Sequence, residues 1–278
     1  MKRVLFAAAA MAALAAAMQF VAAAELPPRE PQPPPLIVVW TWDGFYAGVN
    51  AGYSIGPSDT TARFVDGFGT LLSGSSTTVN LNGWIAGGQA GYNWVFGTWV
   101  WGVEFDFQGT GQEGNATFSC ASSSPPCTPV LLPSGRGSSV TFSQDIEWLT
   151  TLRLRFGTTV TPTILAYLTG GFAVGQVSVN ANINSFDNGV PVAFPFSFGK
   201  AGFGWTIGAG SEWRISSNWT AKIEYLFVDL GSVSSSGICD FCGPPELIAA
   251  LRSNVTDHIL RVGVNYRLGV TERVISRY

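Results

Sequence analysis

The sequence is poor in charged residues and in histidine. Of its 278 residues only 12% are Asp, Glu, Lys or Arg, and His258 is the single histidine. Low charge combined with 13% aromatic residues excludes a disordered chain, which would be rich in charge and poor in aromatics. A formal net charge of −3 and the lack of a Lys/Arg stripe exclude a nucleic-acid-binding protein. One histidine and four cysteines leave few ligands for a metal or haem centre, so we expect no cofactor.

Long apolar runs are confined to the N-terminus. The charged start Met1-Lys2-Arg3 precedes an apolar run that ends in three alanines at Ala24, which predicts a secretory signal peptide over residues 1–24. An uncleaved anchor is the alternative, because about 20 apolar residues can span a bilayer. Cleavage after Ala24 removes all three methionines and two positive charges, so the net charge changes from −3 to −5.

A proline-rich segment follows the predicted signal peptide. Six prolines lie between Glu25 and Pro35, a density typical of an extended polyproline linker. We therefore assign residues 25–41 to a linker, 42–268 to the folded domain and 269–278 to a C-terminal tail or strand extension.

The folded domain alternates apolar and polar residues with a period of two. In one segment the apolar positions are Trp99, Trp101, Val103, Phe105 and Phe107. Because successive side chains of a strand face opposite sides, this pattern predicts a β-strand with one apolar face. Similar segments lie at 45–53, 84–94, 145–156, 203–214, 219–227 and 260–268, and an eighth, 164–174, is apolar in both phases.

The tryptophans indicate what the apolar face contacts. Four of them fall near strand ends, at Trp94, Trp99, Trp213 and Trp219, and such rings gather at membrane–water interfaces. Strands of about ten residues also match a tilted bilayer span. A soluble sandwich with its apolar face inward is the alternative. A sheet in lipid must pair every backbone group, so we predict a closed barrel of eight antiparallel strands.

Short and long links between the predicted strands alternate strictly. The short links are 95–98, 158–162 and 215–218, whereas 55–78, 109–144, 175–202 and 231–257 are long and rich in Ser, Gly, Asn and Pro. Outer-membrane barrels combine short periplasmic turns with long extracellular loops. The sequence thus predicts an all-β transmembrane barrel in the bacterial outer membrane, with both termini and the linker in the periplasm.

Several strand sequences resemble a known family. Residues 42–48 (WDGFYAG) and 83–94 (GWIAGGQAGYNW) are similar to the first two strands of the porin-family outer-membrane barrels of alphaproteobacteria, which are small surface antigens. Segments 168–173, 224–231 and 262–268 resemble later strands. The resemblance implies an eight-stranded barrel and an abundant surface protein, without a settled activity. Such barrels often stop at an aromatic residue that the barrel insertion machinery reads, and here either Tyr278 or Tyr266 supplies it.

The inward phase of the predicted strands carries equal numbers of acids and bases. They are Glu104, Asp106, Asp145, Glu147, Glu212 and Glu224 against Arg153, Arg155, Arg214, Lys222, Arg261 and Arg267. An eight-stranded barrel has an interior just wide enough for side chains, and charges there must pair or be costly. We expect a plugged interior linked by salt bridges. The alternative is an ion path lined by both signs.

Two further residue types suggest chemistry. Cys120 and Cys127 lie in the second long link, and Cys239 and Cys242 in the fourth. An even cysteine count in an exported protein predicts disulfides. Pairing of neighbours and two cross-loop pairings stay open, as do zinc binding and free or redox thiols. His258 follows Asp257, but no nucleophile motif accompanies it, so an outer-membrane enzyme is the least favoured function.

These observations favour a structural surface protein that supports envelope integrity. Its expected partners are outer-membrane lipid, the barrel insertion machinery, and host or phage molecules at the loops. A narrow porin is the second hypothesis, and the oligomeric state stays open.

Overall fold

Eight long β-strands close into an antiparallel barrel, which confirms the predicted fold class. The computed structural model describes residues 37–66, 68, 71–120, 138–187, 190–239, 247–268 and 273–275. The barrel strands follow one another in chain order: β2 Gly44–Asp66, β3 Leu71–Phe96, β4 Trp99–Cys120, β5 Ser138–Thr161, β6 Ile164–Asp187, β7 Val190–Arg214, β8 Trp219–Cys239 and β9 Leu247–Leu268. Pairing of β2 with β9 closes the ring. Among the described residues, no helix is long and apolar enough to cross a membrane.

Two short strands form a separate sheet. They are β1, Ile37–Val39, and β10, Arg273–Ile275, which pair with each other. They fall within the segments assigned from sequence to the linker and the tail. The predicted signal peptide and the proline-rich residues 25–35 lie outside the described part of the chain.

The three predicted short turns are confirmed, whereas the long loops are shorter than predicted. The turns join Phe96 to Trp99, Thr161 to Ile164 and Arg214 to Trp219. At the other end of the barrel the strands run on through most of the predicted loops, and β6 ends at Asp187, three residues before β7 begins. The Ser, Gly and Asn content of these segments predicts loops. The segments form strands instead, because strands pair through backbone hydrogen bonds and their outward side chains can be polar where they face water.

The strands change character along their length. Near the short turns the outward side chains are apolar and exposed, as from Phe45 to Ile55 on β2. We call this belt the apolar band. Eleven tilted residues rise by roughly 25 Å, the height of the hydrocarbon-facing belt of outer-membrane barrels. Beyond the band, in a region we call the outer extension, the outward residues are polar, as at Asp59 and Arg63.

The polarity of the inward side chains changes along the barrel in the opposite direction. Within the apolar band the interior is charged. Towards the outer extension it holds a large apolar cluster beside a smaller polar group that includes Ser58, Gln144 and Ser253. The apolar cluster is almost fully buried and comprises Leu81, Ile85, Ile146, Leu149, Ala173, Val177, Val179, Leu226, Val228, Leu230, Val233, Val255 and Ile259. Burying apolar side chains inside a wall that is wet on its outside stabilises the extension as it would a soluble barrel.

The short-turn end is covered by the residues that precede β2. Trp42 is buried against Val100, Leu165 and Tyr167. Its ring meets that of Trp40 edge-on, with centroids 4.6 Å apart. The indole Nε1 of Trp40 donates to the carbonyl oxygen of Ser217 at 2.8 Å, which ties this segment to the turn between β7 and β8.

Candidate functional site

The charged interior centres on Glu104 of β4, which is fully buried. Its carboxylate accepts hydrogen bonds from Lys222 Nζ at 2.9 Å and from the Tyr46 hydroxyl at 2.8 Å. Arg155 Nη1 lies 3.3 Å from Glu104 Oε2, and Arg153 also pairs with this carboxylate. The donors come from β2, β5 and β8, so one carboxylate joins three other strands of the ring.

A second group of ion pairs surrounds Arg153 and Arg261. The Asp106 carboxylate lies 2.7 Å from Arg153 Nη2 and 3.0 Å from Arg261 Nη2. The Glu224 carboxylate lies 2.5 Å from Arg261 Nη2 and 3.1 Å from Arg153 Nη1, and it also accepts from the Tyr167 hydroxyl at 2.9 Å. Each arginine therefore bridges these two carboxylates, and Arg153 also pairs with Glu104, as the planar fork of a guanidinium allows.

Two arginines lie between this network and the short-turn end. Arg155 Nη2 contacts Glu212 at 2.7 Å, and its guanidinium stacks 3.9 Å from the centre of the Tyr167 ring. Arg267 donates to the backbone oxygen of Asp43 at 2.5 Å and lies over the Trp42 ring at 5.7 Å. Cation–π contacts of this kind gain strength when water is excluded.

The structure places nine of the twelve predicted lumen charges in the buried interior. They are Glu104, Asp106, Glu212 and Glu224 with Arg153, Arg155, Lys222, Arg261 and Arg267. Four acids and five bases leave one positive charge, where the sequence predicted neutrality. Asp257, which the sequence analysis did not include, is also buried and restores an equal count. Its carboxylate accepts hydrogen bonds from Ser54 and from Gln112.

The prediction of inward-facing Asp145 and Glu147 is wrong. A bulge in β5 between Ile146 and Trp148 shifts the register by one residue, and such a shift exchanges the two faces of a strand. Ile146 is therefore buried, whereas Glu147 is exposed and Asp145 is partly exposed. Arg214, also predicted inward, lies half-buried at the rim, 5.1 Å from the Trp40 ring.

Two buried tyrosines of the network were missed by the sequence analysis. Tyr46 faces Gly91 across the strand pair, and Tyr167 faces Gly210. A Cβ atom at Gly91 would lie 2.4 Å from the Tyr46 hydroxyl, and one at Gly210 would lie 2.5 Å from the Tyr167 hydroxyl. A glycine opposite an inward aromatic is thus the signal that could have identified both.

The predicted interface tryptophans all lie on the outside of the barrel at one rim. Trp94, Trp99, Trp213 and Trp219 are between 38% and 50% exposed and sit beside the short turns. Trp99 stacks on Phe156 with centroids 5.1 Å apart, and Trp219 meets Tyr266 at the same separation. The opposite edge of the apolar band carries other rings, among them Trp84 and Trp205.

The cysteine and histidine predictions have different outcomes. Cys127 and Cys242 lie outside the described residues, and Cys120 and Cys239 end β4 and β8, so the disulfides stay a prediction. His258 is exposed on the outside, where its Nδ1 lies 2.7 Å from the Tyr225 hydroxyl, whereas Asp257 faces inward. The strand therefore separates the proposed acid–base partners. Within the described ranges, no group of three or more His, Cys, Asp or Glu could hold a metal ion.

Comparisons with known proteins agree with this architecture. Residues 5–267 match the family model described as outer membrane protein beta-barrel domain. The 31 kDa outer-membrane immunogenic protein of Brucella melitensis is 32% identical over 248 residues, covering 88% of this chain and 92% of that protein. The 22 kDa outer membrane protein of Rhizobium leguminosarum is 28% identical over 201 residues, covering 72% and 70%.

Among solved structures, the outer membrane protein OprG from Pseudomonas aeruginosa aligns over 84% of this chain and all of its own, with 10% identity and a TM-score of 0.48. The family match spans nearly the whole chain, and the relatives are alphaproteobacterial outer-membrane proteins. The chain belongs to the outer membrane protein beta-barrel family, and its place is the bacterial outer membrane.

Proposed function

We propose that this protein is a closed, non-conducting barrel that serves as a structural and surface component of the outer membrane. The observation that carries the proposal is the ion pair between Lys222 and Glu104, with Nζ and Oε1 2.9 Å apart. In an eight-stranded ring β4 and β8 are opposite each other. A direct contact between them crosses the interior, and the charged side chains around it are buried, which supports a closed path at that level.

Two further layers support a closed interior. Above the charges, the apolar cluster joins β3, β5, β6, β8 and β9, and most of its members are buried completely. Below them, Trp42 packs inside the short-turn end. An ion would have to displace paired charges and an apolar layer in the same passage, and both steps cost several kcal/mol.

The outer extension supports a role at the cell surface. It raises a polar, hydrogen-bonded wall beyond the apolar band, with Asp59, Glu113 and Glu147 on its outside. Several relatives from Brucella, the 31 kDa protein among them, carry the name outer-membrane immunogenic protein. On this proposal, contacts with host molecules or phage are made by the extension and the links at its end, and the interior only holds the wall rigid.

Single-channel recording tests the closed barrel. The mature chain would be refolded, its folded state checked by heat-dependent gel mobility, and inserted into a planar bilayer. We expect no stable conductance. A reproducible conductance whose ion selectivity changes in Lys222→Ala would overturn the proposal in favour of a narrow porin. In cells, a deletion strain should become more sensitive to detergent, and wild-type sensitivity would contradict the structural role.

A further inference from the structure

A basic groove of about 790 Å³ lies on the outer extension, across β2, β7, β8 and β9. Three cations line it, Arg63, Lys200 and Arg252, together with the polar side chains of Ser234, Ser236 and Asn254. None of its described lining residues is acidic. The groove plays no part in the closed interior.

Strand register brings the two arginines together, and a hydrogen bond to β8 brings Lys200 close to them. Arg63 lies opposite Ala250 and Arg252 opposite Thr61, so the two arginines are diagonal neighbours on adjacent strands. Lys200 Nζ donates to the Ser234 carbonyl oxygen at 3.2 Å, and Arg252 Nη2 donates to Ser232 Oγ at 3.2 Å. Both partners are neutral, and like charges on neighbouring strands repel. The groove therefore favours an anion, and guanidinium groups suit phosphate and carboxylate.

The height of the groove indicates what kind of anion reaches it. Arg252 lies six residues along β9 from His258, which is opposite Ile55 at the upper end of the apolar band on β2. Six tilted residues rise by about 15 Å. This level lies above the acyl chains, among the anionic sugars and phosphates of outer-leaflet glycolipids. Clusters of Lys and Arg beside a membrane are a common means of holding anionic headgroups.

An apolar groove lies below the basic groove on the same four strands. It measures about 550 Å³, and its lining includes Val49, Ala51, Ile223 and Val262. The groove runs from the middle of the apolar band, the depth at which an acyl chain of the outer leaflet ends, down to Trp213 beside the short turns. One set of strands therefore offers cations at headgroup height and an apolar recess beneath them.

We propose that this face binds one molecule of the anionic glycolipid of the outer leaflet. Its phosphate or carboxylate groups contact Arg63, Lys200 and Arg252, and an acyl chain occupies the apolar groove. The site goes beyond the proposed structural role, because it gives the barrel a specific lipid partner.

Binding of purified lipopolysaccharide without O-antigen to the refolded barrel tests the headgroup contacts. Native mass spectrometry would count retained lipids, and a titration would give the affinity. We expect one tightly retained lipid, and at least about a tenfold loss of affinity in the Arg63→Gln/Arg252→Gln variant. Arg214→Gln, at the opposite rim, is the charge control and should bind normally. Unchanged binding by the double variant, or an equal loss in the control, would overturn the proposal.

The acyl-chain contact has its own test. Ala51→Phe fills the apolar groove, whereas Ala47→Phe adds the same ring to the same face of β2 outside it. We expect only Ala51→Phe to weaken binding of the intact lipid. The delipidated oligosaccharide should bind weakly to every variant. If it binds wild type as tightly as the intact lipid does, the groove is a soluble-saccharide site and the lipid proposal is wrong. Gel mobility shows that each variant is folded.

Discussion

Lys222 Nζ lies 2.9 Å from Glu104 Oε1 although β8 and β4 stand on opposite sides of the barrel. This ion pair links opposite walls of the barrel, and both side chains are completely buried. Lys222→Met should reduce the free energy of unfolding by about 3 kcal/mol, because a buried carboxylate loses one of its partners. Urea unfolding of the refolded protein, followed by tryptophan fluorescence, measures this loss.

A double-mutant cycle separates the pair from its surroundings. Lys222→Met combined with Glu104→Gln should cost less than the sum of the single changes, by about 1–3 kcal/mol. Arg214→Gln, on the rim, is the control and should cost less than about 1 kcal/mol. Additive single effects would show that the two charges do not interact.

Trp42→Ala should destabilise the barrel without opening it. The loss of a large buried ring should reduce the free energy of unfolding by about 3–5 kcal/mol. The ion pair between Lys222 and Glu104 lies farther along the barrel and stays in place. We expect a lower urea midpoint and a silent bilayer recording. Trp99→Ala removes an exposed ring that stacks on Phe156, and should cost less than about 1.5 kcal/mol. Channel activity in Trp42→Ala would assign closure to the tryptophan instead.

Neighbouring glycines of β6 should respond differently to alanine. A Cβ atom at Gly171 would lie 2.1 Å from the Leu152 carbonyl oxygen, whereas the nearest atom to one at Gly170 is 3.5 Å away. Gly171→Ala forces the backbones of β5 and β6 apart and should cost about 1–3 kcal/mol. Gly170→Ala faces outward and should refold with a wild-type yield. The fraction that shows the folded gel mobility compares the two, and equal yields would contradict the crowding argument.

Asp145 should make stability depend on pH in an unusual direction. Partial burial, with Glu147 and Glu113 nearby, raises the pKa of its carboxyl above the ordinary 3.8. An acid whose pKa is higher in the folded state destabilises the fold while it is ionised. This destabilisation decreases as the pH falls through the pKa of the folded protein, and it is absent below the pKa of the unfolded chain. Asp145→Asn should therefore raise the urea midpoint at pH 7 and leave it unchanged at a pH below 3.8.

The matched control for Asp145 is Asp59→Asn, also on the outer extension. The Asp59 carboxylate accepts a hydrogen bond from the Thr78 hydroxyl at 2.8 Å, so its replacement should not stabilise the protein. A gain in the Asp59 variant equal to that at Asp145 would indicate a general effect of lower negative charge.

The four cysteines should be oxidised in the exported protein. Alkylation of the denatured, unreduced chain should add no label, and reduction should then expose four thiols. Peptide mapping decides between the neighbouring pairs 120–127 and 239–242 and the two cross-loop connectivities. Labelling without reduction would favour free thiols, and label uptake only after a chelator is added would favour zinc.

Alternation of apolar and polar residues predicted the eight strands and the short turns, and the tryptophans with the alternating link lengths predicted a membrane barrel. In a stretch such as Trp99–Phe107, one side of the strand faces lipid and the other faces the barrel interior along the whole membrane-facing length, so the period of two is preserved. The same signal fails for Asp145 and Glu147, since a bulge adds one residue without any mark in composition.

The outer extension was missed for a different reason. Val79 and Leu81 face inward on β3 while Asn80 and Asn82 face outward, which is the reverse of the membrane-facing pattern. Apolar and polar residues alternate there too. An interpretation that assigned every apolar side chain to lipid could not recognise strands whose apolar side chains face the barrel interior. The contacts of Tyr46 and Asp257 also depend on which strands meet across the interior, and that follows from ring closure rather than from local sequence.

The outer extension also bears on how antibodies would recognise this molecule. Its outward side chains stand in rows fixed by backbone hydrogen bonds, and residues distant in sequence, such as Arg63 and Arg252, become neighbours. An antibody footprint on this wall would combine several strands into one discontinuous epitope. Sera raised against the unfolded chain or against short peptides would therefore bind intact cells poorly, whereas sera raised against the refolded barrel would bind them well.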